Sequence, residues 1–212
     1  HRRRVNGRER MTSTRERSRF LAKFLGNVRQ VSAVTPASRW LARSHAERVT
    51  PGAPQVIVEV GSGTGVVTEA LAARMHPSST LVAIELDGEL ARMTQDRVPL
   101  AHVLAADVSD IGAILAQLGC PRIDLLVCCL ALPHLPRSTV ETLFAALATL
   151  GQNAWYVQQT LVPLVYRRTY KRLFEEVHFR PVLRNLPPGG TYQCRGLRPD
   201  YVQHLPGRVE HA

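Results

Sequence analysis

The chain has 212 residues, enough for one α/β domain with a sizeable core, and its 45% hydrophobic and 21% charged residues are an ordinary globular balance. No apolar run approaches the length of a membrane span and no secretory leader is recognisable, so a reduced, cytosolic setting is expected. The formal charge of +10 calls for a polyanionic partner, either nucleic acid or an anionic membrane face.

Residues 1–12 read as a basic tail without apolar periodicity, with Met11 a candidate initiator. Ser13 and Glu16 fit a capping box, which predicts a helix running to about Arg29. Phe20, Leu21, Phe24, Leu25 and Val28 form its apolar face, interrupted by Arg17; Arg19, Lys23 and Arg29 lie off that face. Such a helix suits a membrane surface, and equally suits packing on a core with its arginines in water. A loop then leads to a helix near Arg39–Glu47, and the breaker cluster Thr50-Pro51-Gly52-Ala53-Pro54 closes a 13–50 segment.

From there to residue 212, strands and helices alternate, which predicts a mainly parallel sheet with helices on both faces. Strands are expected at Gln55–Val60, Leu81–Leu86, His102–Ala106, Ile123–Cys129 and Ala154–Thr160. Between them lie helices at Glu89–Arg97, along the face Ile111, Ile114, Leu115 and Leu118, and at Ser138–Leu150, where Ser138 and Glu141 fit a second capping box. A basic helix over Val165–Glu176 precedes a closing hairpin of Val177–Leu183 and Thr191–Cys194. Cys120, Cys128, Cys129 and Cys194 contain no C-x-x-C pair, so no metal site is expected.

The chemistry centres on Val56-Ile57-Val58-Glu59-Val60-Gly61-Ser62-Gly63-Thr64-Gly65, a buried-type strand that runs into three alternate glycines and then a helix from Val66. The glycines permit a tight turn and close approach of backbone to a ligand. The helix beyond them offers free N–H groups to an anion. Glu85, at the end of the next strand, can accept from ribose hydroxyls. Asp107, after the third strand, can accept from an adenine amine or cap a helix.

In open α/β sheets ligands sit beyond the carboxyl ends of the strands. That places the loop Cys129-Leu130-Ala131-Leu132-Pro133-His134-Leu135-Pro136 beside the glycines, where an acceptor would bind. It lacks both the amide and the aromatic ring that hold a flipped adenine, which argues against a nucleobase substrate. His134 can orient an amine or take its proton. Tyr156, Gln158 and Gln159 are polar groups expected nearby, with the Tyr156 ring a candidate face for a methylated ammonium. Arg167, Arg168 and Lys171 either hold a lipid phosphate or form a solvated helix face.

The Gly61, Gly63, Gly65 spacing resembles the first motif of class I S-adenosylmethionine-dependent methyltransferases. The stretch Phe24–Arg39, the Glu59–Gly65 loop, Cys129–Pro133 and Asn185-Leu186-Pro187-Pro188 look like their counterparts in the bacterial phospholipid N-methyltransferases, over about Phe20–Leu197. The acceptor loop departs from the Ser-Gly-Leu-Pro common in that family. The resemblance implies a Rossmann-like fold, with a mainly parallel seven-stranded sheet and an antiparallel last strand. It implies an enzyme that methylates phosphatidylethanolamine stepwise to phosphatidylcholine, bound to the inner face of the membrane and not to nucleic acid. Acting on adenine in RNA or DNA, or on another amine lipid such as ornithine lipid, is the alternative. S-adenosyl-L-methionine would sit on Ser38, Glu59, Gly61, Ser62, Gly63 and Gly65, with Glu85, Leu86, Asp107, Val108 and Cys129 around its nucleoside and methyl ends. Leu130 and Leu132 would line the acceptor side.

Overall fold

Ile57, Val58 and Val60 are wholly shielded from water, as expected of an apolar run with a helical layer on each side. Together with Val56 and Glu59 they form β1, Val56–Val60, an interior strand of the sheet. The computed structural model describes residues 38–161, 163–185 and 188–206. The helix expected over Ser13–Arg29, the tail before it and the Leu186-Pro187 pair lie outside the described residues.

The other strands are β2 (Thr80–Glu85), β3 (His102–Ala105), β4 (Leu125–Cys128), β5 (Trp155–Thr160), β6 (Phe174–Val182) and β7 (Gly189–Leu197). Their order is β3-β2-β1-β4-β5-β7-β6. Strands β1 to β5 run parallel, and β7 runs antiparallel to both β5 and β6. This is the Rossmann-like seven-stranded sheet expected. The order reverses between β1 and β4, which opens a crevice beyond their carboxyl ends.

Among the described residues the α-helices are α1 (Arg39–His45), α2 (Val66–Ala72), α3 (Gly88–Arg97), α4 (Ile111–Gln117), α5 (Arg137–Leu150) and α6 (Pro163–Leu173). Alternate strand residues feed two cores. Ile57 and Leu81 join Ala42 of α1 and Val67 and Leu71 of α2 on one face. Val58, Val60 and Val82 join Ile111 of α4, Phe144 of α5 and Tyr170 of α6 on the other. On α5 the buried Val140, Leu143, Phe144 and Leu147 follow helical spacing.

Three local expectations change. Ser138 does not cap α5: Pro136 precedes a helix that already contains Arg137, and Glu141 binds the Arg137 Nε at 2.9 Å instead. The last helix stops at Leu173, not Glu176, because Phe174 already pairs with Leu197 in the sheet. From Phe174 onward β6 alternates inward Phe174, Val177 and Phe179 with exposed Glu175, Glu176, His178 and Arg180, only loosely of period two. Cys129 falls just past β4 and leads the acceptor loop.

Candidate active site

Gly61, Gly63 and Gly65 all adopt positive φ, at 78°, 56° and 79°. Only glycine reaches this backbone freely. The loop is tied down from three sides. Gly61 N–H donates to the Ile84 carbonyl at 2.8 Å, Gly63 N–H to Glu85 Oε2 at 2.8 Å, and Thr94 Oγ1 to the Gly63 carbonyl at 2.9 Å. A side chain on Gly63 would meet nothing within 4 Å among the described residues, which leave space open above the loop. On Gly61 it would strike Leu130 of the acceptor loop, 2.5 Å away. The absence of that one carbon lets the two loops close on each other.

Beneath the loop, Glu59 is fully buried and burial pushes its carboxyl up to about 7; the Thr68 hydroxyl pulls the other way, and Glu85 adds to the rise. Its Oε1 lies 4.0 Å from the Cys129 sulfur. Its Oε2, like the buried Ser62 Oγ, has no partner among the described residues. Two unpartnered buried polar atoms beside an open, glycine-lined space fit a polar ligand with hydrogen-bonding groups of its own.

Glu85 also accepts the Asp87 N–H at 3.1 Å, so its carboxylate braces the loop it is expected to share with a ribose. Leu86, just past β2, is 72% exposed and open to a ligand, whereas Val108, beyond β3, is 9% exposed and packs in the core. Asp107 takes the capping role: its Oδ1 accepts the Ser109 N–H at 2.7 Å. Glu85→Ala removes both the ribose acceptor and the brace on Gly63. Cofactor affinity is expected to fall by about 1–3 kcal/mol, read by titration calorimetry.

The acceptor side differs more from expectation. Tyr156 is fully buried, with Phe174 stacked on it at 5.3 Å and Phe144 at 5.4 Å, so its ring offers no face to an ammonium. Its hydroxyl donates to Gln158 Oε1 at 2.5 Å, and Gln158 Nε2 donates to the Leu130 carbonyl at 2.9 Å. Tyr156 and Gln158 therefore position the acceptor loop from inside the sheet. Leu132 is 1% exposed and belongs to the core, not to a substrate wall. His134 ends a short turn, Leu132–His134, and is exposed on the loop. Arg167, Arg168 and Lys171 are exposed on α6, without an ion-pair partner among the described residues.

Ser38 caps α1, accepting the Leu41 N–H at 3.3 Å, and donates its own N–H to Asn185 Oδ1 at 3.4 Å. The segment before β1 and the Asn185 turn, both flagged in the sequence, thus meet. Thr94, His45 and Gln193 were missed. Thr94 sits in an unremarkable helix, and only its burial at 0% exposure betrays its role on the loop.

A family model described as a methyltransferase domain matches residues 57–152. An O-methyltransferase of tomaymycin synthesis from Streptomyces achromogenes has a similar fold, with TM-score 0.56 and 18% identity over 84% of this chain and 89% of that one. An O-methyltransferase from Bacillus cereus gives TM-score 0.54 at 12% identity, over 89% and 93% of the two chains. The chain belongs to the class I S-adenosylmethionine-dependent methyltransferases, and S-adenosylmethionine is its cofactor. Within that class it is 34% identical over 186 residues to an ornithine lipid N-methyltransferase from Singulisphaera acidiphila, covering 86% of this chain and 97% of the relative.

Proposed function

We propose that the protein methylates the amine of a membrane lipid, with an ornithine lipid as the acceptor. The observation that carries this reading is the relative of that activity, matched over 97% of its length. The sequence alone puts phosphatidylethanolamine first, with adenine in RNA or DNA or another amine lipid as the alternative; the relative favours another amine lipid. The acceptor loop supports a lipid over a nucleobase, since Cys129–Pro136 holds neither the amide nor the ring a flipped base needs.

S-adenosylmethionine supplies an electrophilic methyl group. The residues of this chain have the remaining tasks. Gln158, set by Tyr156, holds the Leu130 carbonyl and with it the loop that faces the cofactor. Leu130 packs over Gly61 and narrows the gap between donor and acceptor loops, which excludes water. His134 is placed on that loop to take the proton an ammonium must lose before it can attack. His134→Ala is expected to lower kcat by about 100-fold and leave cofactor affinity unchanged.

Arg167, Arg168 and Lys171 hold the lipid's anionic group in this reading, and the basic helix expected over Ser13–Arg29 attaches the enzyme to the inner face of the membrane. Among the described residues no helix is long and apolar enough to cross a membrane. The test supplies labelled S-adenosylmethionine with vesicles of ornithine lipid, vesicles of phosphatidylethanolamine, or total RNA. Label is expected in ornithine lipid. Label in phosphatidylethanolamine alone corrects the head group; label in RNA alone overturns the reading.

A further inference from the structure

Three guanidinium groups converge on one indole. Arg184, Arg39 and Arg43 lie 4.7, 4.9 and 5.3 Å from the centroid of the Trp40 ring. Arg39 and Arg43 are one turn apart on α1, whereas Arg184 comes from the turn between β6 and β7. All three are exposed, and none pairs with a carboxylate among the described residues. Stacking on the indole offsets part of their mutual repulsion. Water and salt screen the rest, and an anionic surface would relieve it further. Leu183, beside Arg184, is 78% exposed.

The other tryptophan makes a useful contrast. Trp155 carries Arg48 at 3.6 Å, but Arg48 is bonded to Gln193 at 2.7 Å and sits in the field of Glu47 and Glu176. Arg180 and Arg195 also lie near this pair, and Glu47 and Glu176 offset part of that charge. No carboxylate among the described residues pairs with the arginines on Trp40.

Its place in the fold gives it meaning. Val182 pairs with Gly189, and Gly190 pairs with Thr160 at the carboxyl end of β5, so the β6–β7 turn stands on the carboxyl edge of the sheet. The Ser38–Asn185 hydrogen bond fixes the start of α1 to that turn. The glycine loop and the acceptor loop rise from the same edge.

We propose that Trp40, Arg39, Arg43, Arg184 and Leu183 form a second membrane-docking surface, carried by the catalytic domain itself. It takes an anionic bilayer: guanidiniums on lipid phosphates, with the indole and Leu183 at head-group depth. Docked this way, the reaction edge faces the bilayer from which an amine lipid enters. The choice of a bilayer as partner rests on the lipid-amine reading; the charge and geometry of the patch do not.

The chain has 2 tryptophans, so a full-length Trp155→Phe protein reports on Trp40 alone. On vesicles of phosphatidylcholine with phosphatidylglycerol its emission is expected to shift to the blue and to be quenched by brominated acyl chains. On phosphatidylcholine alone it is expected to stay unchanged. In the otherwise wild-type protein, Arg43→Glu with Arg184→Glu is expected to weaken vesicle co-sedimentation by about tenfold or more. The charge-matched pair Arg74→Glu with Arg92→Glu is expected to weaken it far less. Vesicle binding with silent Trp40 emission, or equal losses from the two pairs, overturns the patch and leaves the lipid-amine reading standing. A Trp40 shift on duplex RNA and none on anionic vesicles overturns it in favour of nucleic acid. A Trp40 shift on vesicles without methyl transfer to any amine lipid supports the patch and removes the lipid-amine reading.

Discussion

Gly65→Ala is expected to abolish S-adenosylmethionine binding and to cost the fold about 2–5 kcal/mol. The first part of that cost is the backbone: at φ 79° an alanine is strained by about 1–2 kcal/mol. The second is a collision. The new carbon would stand 3.0 Å from Thr94 Oγ1 and 3.1 Å from Thr94 Cα, and overpacking against helix backbone costs about 1–3 kcal/mol. Moving Thr94 releases its 2.9 Å bond to the Gly63 carbonyl, so the loop loses its shape along with its stability. Gly63→Ala separates the two effects. Its side chain meets nothing within 4 Å among the described residues, so the fold bears only the strain of φ 56°, while the added methyl enters the space where the cofactor is expected. Thermal denaturation with calorimetry should therefore show Gly65→Ala losing both stability and binding, and Gly63→Ala losing mainly binding. Cofactor binding by Gly65→Ala at wild-type strength would refute this account of the loop.

A second large effect is hidden by cancellation. Burial raises Glu59 from 4.5 to about 7 and lowers His45 from 6.5 to about 4, the latter partly opposed by the Leu41 carbonyl that its Nδ1 meets at 2.8 Å. Between about 4.5 and 7 the folded protein keeps a proton on Glu59 that the unfolded chain has released, so this group makes stability fall as pH rises. Between about 4 and 6.5 the unfolded chain holds a proton that buried His45 refuses, so this group makes stability rise with pH. Each shift amounts to about 3 kcal/mol. The wild-type profile from these two groups is therefore nearly flat from about 4.5 to 6.5. Glu59→Gln is expected to expose the rise, and His45→Gln the fall, in melting temperature measured across that window. A flat profile in both variants would mean that neither group titrates as its burial requires.

Much of this architecture is readable in the chain because its signals are local. A continuous apolar strand and glycines two apart adjoin in sequence, and the acid that ends the next strand, 22 residues beyond Gly63, meets them through the parallel β1–β2 pairing. The misreadings come from contacts made far along the chain. Phe174 opens a strand because Leu197 waits beside it, and nothing near Phe174 reveals that. Tyr156 looks like an open aromatic face until Phe144 and Phe174 cover it. Ser138 and Glu141 have capping-box spacing, but Arg137 claims the glutamate. The Trp40 cluster is half legible, since Arg39 and Arg43 flank Trp40 at helical spacing; its third arginine is more than a hundred residues away.

The union of α1 with β7 bears on how the protein is made. Ser44 Oγ and Thr191 Oγ1 share a hydrogen bond of 2.8 Å across a separation of 147 residues, and Gln193 reaches both the Ser44 carbonyl and Glu47. During synthesis α1 leaves the ribosome long before its docking strand exists. At about 5–20 residues per second that wait lasts roughly 7–30 s. Strands β1 to β5 can pair in the order in which they emerge, with α1 already packed against Val67 and Leu71 of α2 through Ala42 but still without its polar partners on β7. The polar contacts that fix the helix bearing Trp40 to the reaction edge form only when β7 arrives, after all five parallel strands.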